Sequence, residues 1–512
     1  MATPDASGNR KERLQWFNEI GFGLFIHWSL DGQIGSVIGH SMAMASDAYL
    51  DKYTQVLPSM FNPKRFDPDE WAAVAKLAGI RYVVFTTKHH NGFCMFHTQS
   101  TPFNIANTPF QRDITGEIAE AFRKQGIAIG WYFSPDDFYF LHEKGMPLRR
   151  GVKPEQCDGL LEHNQMQLKE LLENYGKIDI VFFDGPSDGL KQLCWEIDPD
   201  IVVTRGGIKT PEQHIPGVES EEPWEACVTM GTGWQYKPTN EVYKSGTQMI
   251  ELLIDTRAKG GNLLLNVGPK PNGELPIEQE GILREFALWN FVNDEAIYGV
   301  RPWRVPFEGD VWFTKKGKDT VYALVKCDEP WAYRERRELS LCSVQATEET
   351  EVQLLGQTPA AMYAEHPAVE WKQDEDRLQI GATRLQRLYN NRRWPNPIVF
   401  KITNAQLGLI PPTVATGKAL WDAASSCCHL EANLVDLESG EEVEVGFDYR
   451  LRKLLTDAPD EWRATDFERR QAKGEFSGQV RELEKGTTYE FRAVARHRDI
   501  TVYGDKVAFR TT

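Results

Sequence analysis

Short, continuous apolar runs alternate with helix-period stretches through residues 1–300. The runs fall at 22–27, 81–87, 127–134, 178–184, 200–205, 224–230 and 262–267. Each is apolar at successive positions rather than at every second one, as in strands buried on both faces of a parallel sheet. Between them lie amphipathic patterns. In 67–79, Asp67 is placed to cap a helix, Pro68 suits its first turn, Glu70 completes a capping box and Gly79 ends it. Leu161, Leu168, Leu171, Leu172 and Tyr175 form a second stripe closed by Gly176, and Met249, Leu252, Leu253 and Thr256 a third. Strand–helix alternation over this length predicts a (β/α) barrel. The pattern supplies seven strands, so the eighth is irregular or the barrel is incomplete.

Beyond Pro302-Trp303 the period changes. Short alternating runs at 310–314, 319–325, 351–355, 377–380 and 397–402 predict an antiparallel β-sandwich. A second break falls at Pro411-Pro412, followed by alternating runs at 429–435, 443–451, 488–496 and 505–510. The stretch 483–494 resembles the tyrosine-corner region of a fibronectin type III module. The expected organisation is a catalytic barrel over 1–300, a β-sandwich over 301–410 and a fibronectin type III-like β domain over 411–512.

Composition narrows the function. The 512 residues carry a formal net charge of −16, which argues against nucleic acid or an anionic membrane as partner but not against a neutral substrate. No apolar run is long enough to span a bilayer. The first 13 residues contain no apolar signal-peptide core, so the expectation is a cytoplasmic protein or the processed form of a secreted or periplasmic one. The 8 cysteines show no paired metal spacing, and Cys427 and Cys428 are adjacent, so all are read as free thiols. Fifteen tryptophans suit sugar stacking and large cores equally well. The sequence sets no oligomeric state.

Barrel enzymes carry their reactive groups where strands end. Collecting polar residues there gives His27, His89, His90, Tyr132, Asp184, Arg205 and Glu225, and the loop 206–216 adds Glu212. Lys88 flanks the two adjacent histidines. Two carboxylates among neutral hydrogen-bonding groups point to glycoside hydrolysis, in which one carboxylate attacks the anomeric carbon and the other serves as acid and then base. Each residue also has a plainer reading. Asp184 before a glycine could cap a turn, His27 could be a satisfied core histidine, Arg205 could pair structurally, and Glu212 could be a solvated loop residue. Three histidines with Asp184 could hold a metal, but no ligand spacing supports it, so no metal and no cofactor are expected.

Several motifs together resemble the α-L-fucosidases of glycoside hydrolase family 29. They are Gly23-Leu-Phe-Ile-His-Trp-Ser29, Lys88-His-His-Asn-Gly-Phe93, Gly130-Trp-Tyr-Phe-Ser134, Phe183-Asp-Gly185, Trp224-Glu225 with Gly233-Trp-Gln-Tyr236, and Gly260-Gly-Asn-Leu-Leu-Leu-Asn-Val-Gly-Pro269. The resemblance runs from Trp16 to Trp303. It implies a retaining, exo-acting hydrolase of terminal α-L-fucose on oligosaccharides or glycoconjugates, with no metal. On the matching positions it implies that Asp184 is the nucleophile, that His27, His89 and His90 contact fucose hydroxyls, that Tyr132 lies near the nucleophile, that Arg205 precedes the acid/base loop and that Trp234 packs on the methyl side of the sugar. Glu212 is the expected acid/base and Glu225 the alternative, with Glu219, Glu221 and Glu222 also open.

One stretch departs from the family. Where many members have Glu-Trp after the first strand, this chain has Ser46-Asp-Ala-Tyr49. Asp47 then stands for the glutamate with a shorter reach, and His40-Ser41 lie nearby. The departure leaves two other readings: hydrolysis of a related sugar such as an α-L-galactoside, or fucose binding without catalysis.

Overall fold

The computed structural model describes residues 8–220, 222–358, 368–388, 395–453, 461–498 and 500–512. The chain divides into two compact units, the first built from residues up to 214 with 222–249 and 261–294, the second from 215–221, 250–260 and 295 onward.

The first unit is organised by seven parallel strands: β1 Phe22–Ile26, β2 Tyr82–Lys88, β3 Ala128–Phe133, β4 Ile180–Phe183, β5 Val202–Val203, β6 Glu225–Thr229 and β7 Asn262–Val267. Their order is β5-β4-β3-β2-β1-β7-β6. Six of the seven are buried at every position, which is why their sequences read as unbroken apolar runs. The sheet is of the barrel type. Its interior face carries Phe25, Tyr82, Val84, Tyr132, Ile180, Phe182, Cys227 and Leu264 in one core. Gly23 lets β1 approach β2 closely, because a Cβ there would meet the Tyr82 ring at 2.3 Å.

The irregular eighth position lies between β5 and β6. After Arg205 the chain turns at Gly206, whose φ is +96°, and the segment 208–213 runs beside β6. The Glu225 N–H donates to Lys209, Cys227 to Pro211 and Gln213 to Cys227. Only isolated parallel bridges form here, including Glu212 with Cys227. Pro211 has no N–H to extend a ladder. Helices return the chain between most of the strands, as expected, though among the described residues none lies between β5 and β6. Pro68–Leu77 starts on Asp67, whose side chain accepts the Glu70 N–H at 3.1 Å.

The second unit is antiparallel. A five-stranded sheet centres on Val311–Lys316, Thr320–Val325 and Ile398–Thr403, and a three-stranded sheet joins Arg336–Leu341, Val369–Asp374 and Arg377–Thr383. Trp303, Phe313, Trp331, Ile380 and Phe400 contribute to the core they share. A separate core of Leu430, Leu434, Phe447, Phe476 and Phe491 belongs to the strands from Thr413–Asp422 onward, among them Cys427–Asp436, Val443–Leu451, Gly474–Arg481 and Thr488–His497. All eight cysteines are buried free thiols. Among the described residues, no helix is long and apolar enough to cross a membrane.

Candidate functional site

The two-residue period of a strand decides what reaches the mouth of the sheet. His27 follows β1 two places after interior Phe25. Asp184 follows β4 two places after interior Phe182, and Asn266 lies two places after interior Leu264 on β7. Three polar side chains therefore continue an apolar interior face at the strand exits.

Asp184 is the centre of the cluster. Its Oδ2 accepts the Tyr132 hydroxyl at 2.8 Å and lies 3.4 Å from His90 Nε2. Its Oδ1 accepts Arg150 Nη2 at 2.8 Å and Arg205 Nη1 at 3.2 Å. Burial pushes this carboxyl up, but the His90 contact and the charges of Arg150 and Arg205 outweigh it and hold the group far below the usual carboxylate range. Arg205 is itself seated over the Phe182 ring at 4.9 Å. Its other arm donates to Glu212 Oε2 at 2.9 Å. One guanidinium fork thus bridges Asp184 and the half-exposed Glu212.

The histidines form the opposite wall. His27 Nδ1 is 2.6 Å from Asn266 Oδ1, and the Asn266 amide donates to the Trp234 carbonyl at 2.6 Å. Asn266 thereby fixes both an imidazole and the backbone of the tryptophan whose ring lies 4.9 Å from that imidazole. Burial lowers His27 to about 3. His89 stacks on Tyr132 with ring centres 5.1 Å apart and planes 9° apart, and burial holds it well below the ordinary imidazole value. His90 Nδ1 is 2.6 Å from the Ser134 hydroxyl. His89 Nδ1 is buried with no hydrogen-bond partner among the described residues, and the Asp184 carboxylate is what His90 Nε2 faces. His40 closes the group, with ring centres 4.9 Å from His90 and 5.9 Å from His89, and burial lowers it to about 4. Gly39 makes this approach possible. Its φ is +62°, and a Cβ there would meet His89 Nδ1 at 2.2 Å.

The structure thus brings together His27, His89, His90, Tyr132, Asp184, Arg205, Glu212 and Trp234. It does not bring Glu225 to them. That residue opens β6 rather than closing it, so it sits in the layer of strand starts, fully buried, with the Tyr82 hydroxyl donating to Oε2 at 2.6 Å. Burial raises it to about 7. Asp47 is exposed in the first turn of the helix Asp47–Asp51, and it is His40 that touches the histidine pair. Lys88 turns away to Asp137 at 3.2 Å and Asn164 at 2.7 Å. Glu219 pairs with Arg304 in the second unit at 4.0 Å, and Glu221 lies outside the described residues.

Two contributors escaped the sequence reading. Asn266 obeys the same strand-exit rule but is a neutral amide. Arg150 sits in a loop that offers no periodicity to read. Asp31 is a further buried carboxyl behind the site, raised by burial to about 6 although it accepts the Gly39 N–H and the Tyr53 hydroxyl, each at 2.8 Å. His89, His90 and Asp184 offer ligand atoms within 4.8 Å of one another. Two guanidiniums on the same carboxylate oppose a divalent cation there.

Two carboxylates spanned by one guanidinium, beside imidazoles at the exits of a parallel barrel-type sheet, form an arrangement suited to glycoside hydrolysis. Comparison with known proteins gives the class independently. A family model described as alpha-L-fucosidase matches residues 2–295. The tissue alpha-L-fucosidase of Bos taurus is 29% identical over 386 residues, covering 67% of this chain and 80% of that protein. Alpha-L-fucosidase isoenzyme 1 from Paenibacillus thiaminolyticus is similar in structure, with 28% identity, a TM-score of 0.63 and coverage of 79% of this chain and all of that one. The alpha-fucosidase of Thermotoga maritima, solved with a mechanism-based inhibitor, gives 25% identity, a TM-score of 0.61 and coverage of 79% and 100%. The chain belongs to the α-L-fucosidase family, and it is a glycoside hydrolase of that kind.

Proposed function

We propose that this enzyme releases terminal α-L-fucose from fucosylated oligosaccharides or glycoconjugates by double displacement with retention. The observation that carries the reading is the Arg205 fork between Asp184 and Glu212. It holds two carboxylates within the span of one guanidinium, in keeping with the roughly 5–5.5 Å separation of a retaining pair. In the first step Asp184 attacks the anomeric carbon while Glu212 protonates the leaving oxygen. The glycosyl ester on Asp184 is then hydrolysed by water that Glu212 deprotonates. Asp184 is suited to attack because it is held ionised, half-enclosed and oriented by Tyr132. The mechanism-based inhibitor bound by the Thermotoga maritima relative accords with a covalent step.

His27 and His89, which burial holds uncharged, give the sugar its hydroxyl contacts, with His90 beside them. A neutral imidazole can both donate and accept, which suits a sugar hydroxyl. Trp234, beside His27, offers the apolar surface for the methyl side. Glu225 is not the acid/base in this reading, because it lies at the far end of its strand from Asp184. The Tyr489 hydroxyl, which accepts the Glu484 N–H at 3.0 Å, supports a fibronectin type III-like module at the C-terminus.

The test is hydrolysis of 4-nitrophenyl α-L-fucoside by wild type and Asp184→Asn, both checked for folding. Fucose release by wild type alone agrees with the proposal. Turnover by the variant at a comparable rate refutes the role given to Asp184, and no release by wild type refutes the substrate.

A further inference from the structure

Arg150 belongs to the loop that follows the helix Phe138–Glu143. Two carboxylates hold its guanidinium. Nη2 donates to Asp184 Oδ1 at 2.8 Å, and Nε lies 3.4 Å from Asp136 Oδ2. Asp136 is buried, and its other oxygen accepts the Gly151 N–H at 2.8 Å. One carboxylate therefore fixes both the backbone of this loop and the side chain beside the proposed nucleophile. The Arg150 side chain is 44% exposed where Asp184 is only 16% exposed. The cation stands at the open side of the carboxylate it holds.

The ion pair with buried Asp136 seats Arg150 in its loop, but a neutral sugar offers nothing to the arm that reaches Asp184. Arg205 already neutralises Asp184 and spans the carboxylate pair. A second guanidinium on the same oxygen opposes the positive charge that develops at the anomeric centre in an oxocarbenium-like transition state. It also occupies a lone pair of the attacking group. Both penalties fall if substrate draws Arg150 away from Asp184, and an anionic oxygen group on the substrate is what would draw it.

The surrounding loop has the matching charge. Residues 144–153 read Lys-Gly-Met-Pro-Leu-Arg-Arg-Gly-Val-Lys, with four cations and no acid, in a chain whose net charge is −16. Arg149 and Lys153 are exposed, and neither side chain has an ion-pair partner among the described residues. Arg150 also contributes to lowering the nearby His40, which burial alone already lowers.

We propose that Arg150 is a specificity-determining residue that binds an anionic group, a sulfate ester or a carboxylate, on the substrate close to the scissile bond. This rests on the reading of Asp184 as nucleophile of a fucosidase. In the free enzyme Arg150 rests on Asp184. In the complex it moves to the anion, releases Oδ1 for attack and is compensated at the transition state. The preferred substrates are therefore fucosides that carry sulfate on the fucose ring, or whose neighbouring sugar is an acid.

The test measures kcat/KM for 4-nitrophenyl α-L-fucoside, for its ring-sulfated forms and for fucosylated disaccharides with a neutral or a uronic acid reducing sugar. Wild type, Arg150→Ala and Arg150→Lys are compared. The expected wild-type ratio of anionic to neutral substrate is about tenfold or more, the Ala variant brings it to near one, mainly through KM, and the Lys variant restores part of it. The ring-sulfated and uronic acid arms separate the two sources of the anion. A wild-type ratio at or below one on every pair, or a ratio that Arg150→Ala leaves unchanged, overturns the inference while leaving the fucosidase reading intact. Absence of fucose release from every substrate overturns both.

Discussion

The Tyr132 hydroxyl donates to Asp184 Oδ2 at 2.8 Å, while the same ring lies flat against His89. One side chain thus joins the carboxylate to the histidine wall through opposite properties, a hydrogen bond and an aromatic face. Burial raises the Tyr132 phenol well above its ordinary value, with the Asp184 charge adding to it, so the proton stays on the tyrosine. Tyr132→Phe keeps the stack and deletes the bond. The expected outcome is a loss of kcat of about ten- to a hundredfold, with KM and thermal midpoint little changed. Steady-state kinetics and a melting curve check it.

Glu212 has a different role, and its loss has a different signature. Glu212→Ala should cost about a hundredfold or more on a fucosylated oligosaccharide. The loss on 4-nitrophenyl α-L-fucoside should be smaller for the first step, because that leaving group needs little protonation. Azide should restore turnover and give fucosyl azide of retained configuration, read by nuclear magnetic resonance. Rescue by azide in Glu225→Ala instead would transfer the role to Glu225.

Asn266 is placed to support the site without touching the anomeric centre. It holds His27 through Nδ1 and the Trp234 carbonyl through its amide. Asn266→Ala should leave a buried imidazole unpaired, at a cost of about 1–3 kcal/mol in stability. It should raise KM more than it lowers kcat, because the affected groups face the sugar ring. Denaturant titration together with kinetics separates the two effects.

Glu225 supplies a pH-dependent term in stability. Burial lifts it from its ordinary 4.5 to about 7 in the folded protein. Between these values the folded state binds more protons than the unfolded one, so the contribution is fully present below pH 4.5 and is lost as pH rises through 7. Glu225→Gln removes that dependence. The stability of the variant relative to wild type should rise across this window, by on the order of 3 kcal/mol when ionisation is complete. Urea unfolding of both proteins at several pH values measures the difference, which isolates Glu225 from the buried histidines. A flat difference contradicts the assignment.

The barrel strands were legible because burial on both faces writes a continuous apolar run. β7 coincides with the expected 262–267, and β1 ends one residue earlier than expected. Strands with a solvent face were harder. Arg336–Leu341 and Val369–Asp374 carry mostly exposed or half-exposed polar residues, and each shows only a two-residue apolar alternation, Leu339 with Leu341 and Val369 with Trp371. In the site, Asp184 and His27 were readable from strand exits alone. Glu225 was misplaced because an apolar run does not mark the residue at which pairing begins, and that residue decides which end of the barrel a side chain joins. Arg150 was invisible because its position depends on Asp136, which fixes a loop that has no period of its own.

Covalent fucosylation of Asp184 is the step on which the proposed mechanism turns. The most direct test treats the enzyme with 2-deoxy-2-fluoro-α-L-fucosyl fluoride, weighs the intact protein and maps the labelled peptide. A single fluorofucosyl adduct is expected, on the peptide containing Asp184, and it disappears as activity returns. Active enzyme that forms no adduct, or an adduct on a different residue, would contradict that mechanism.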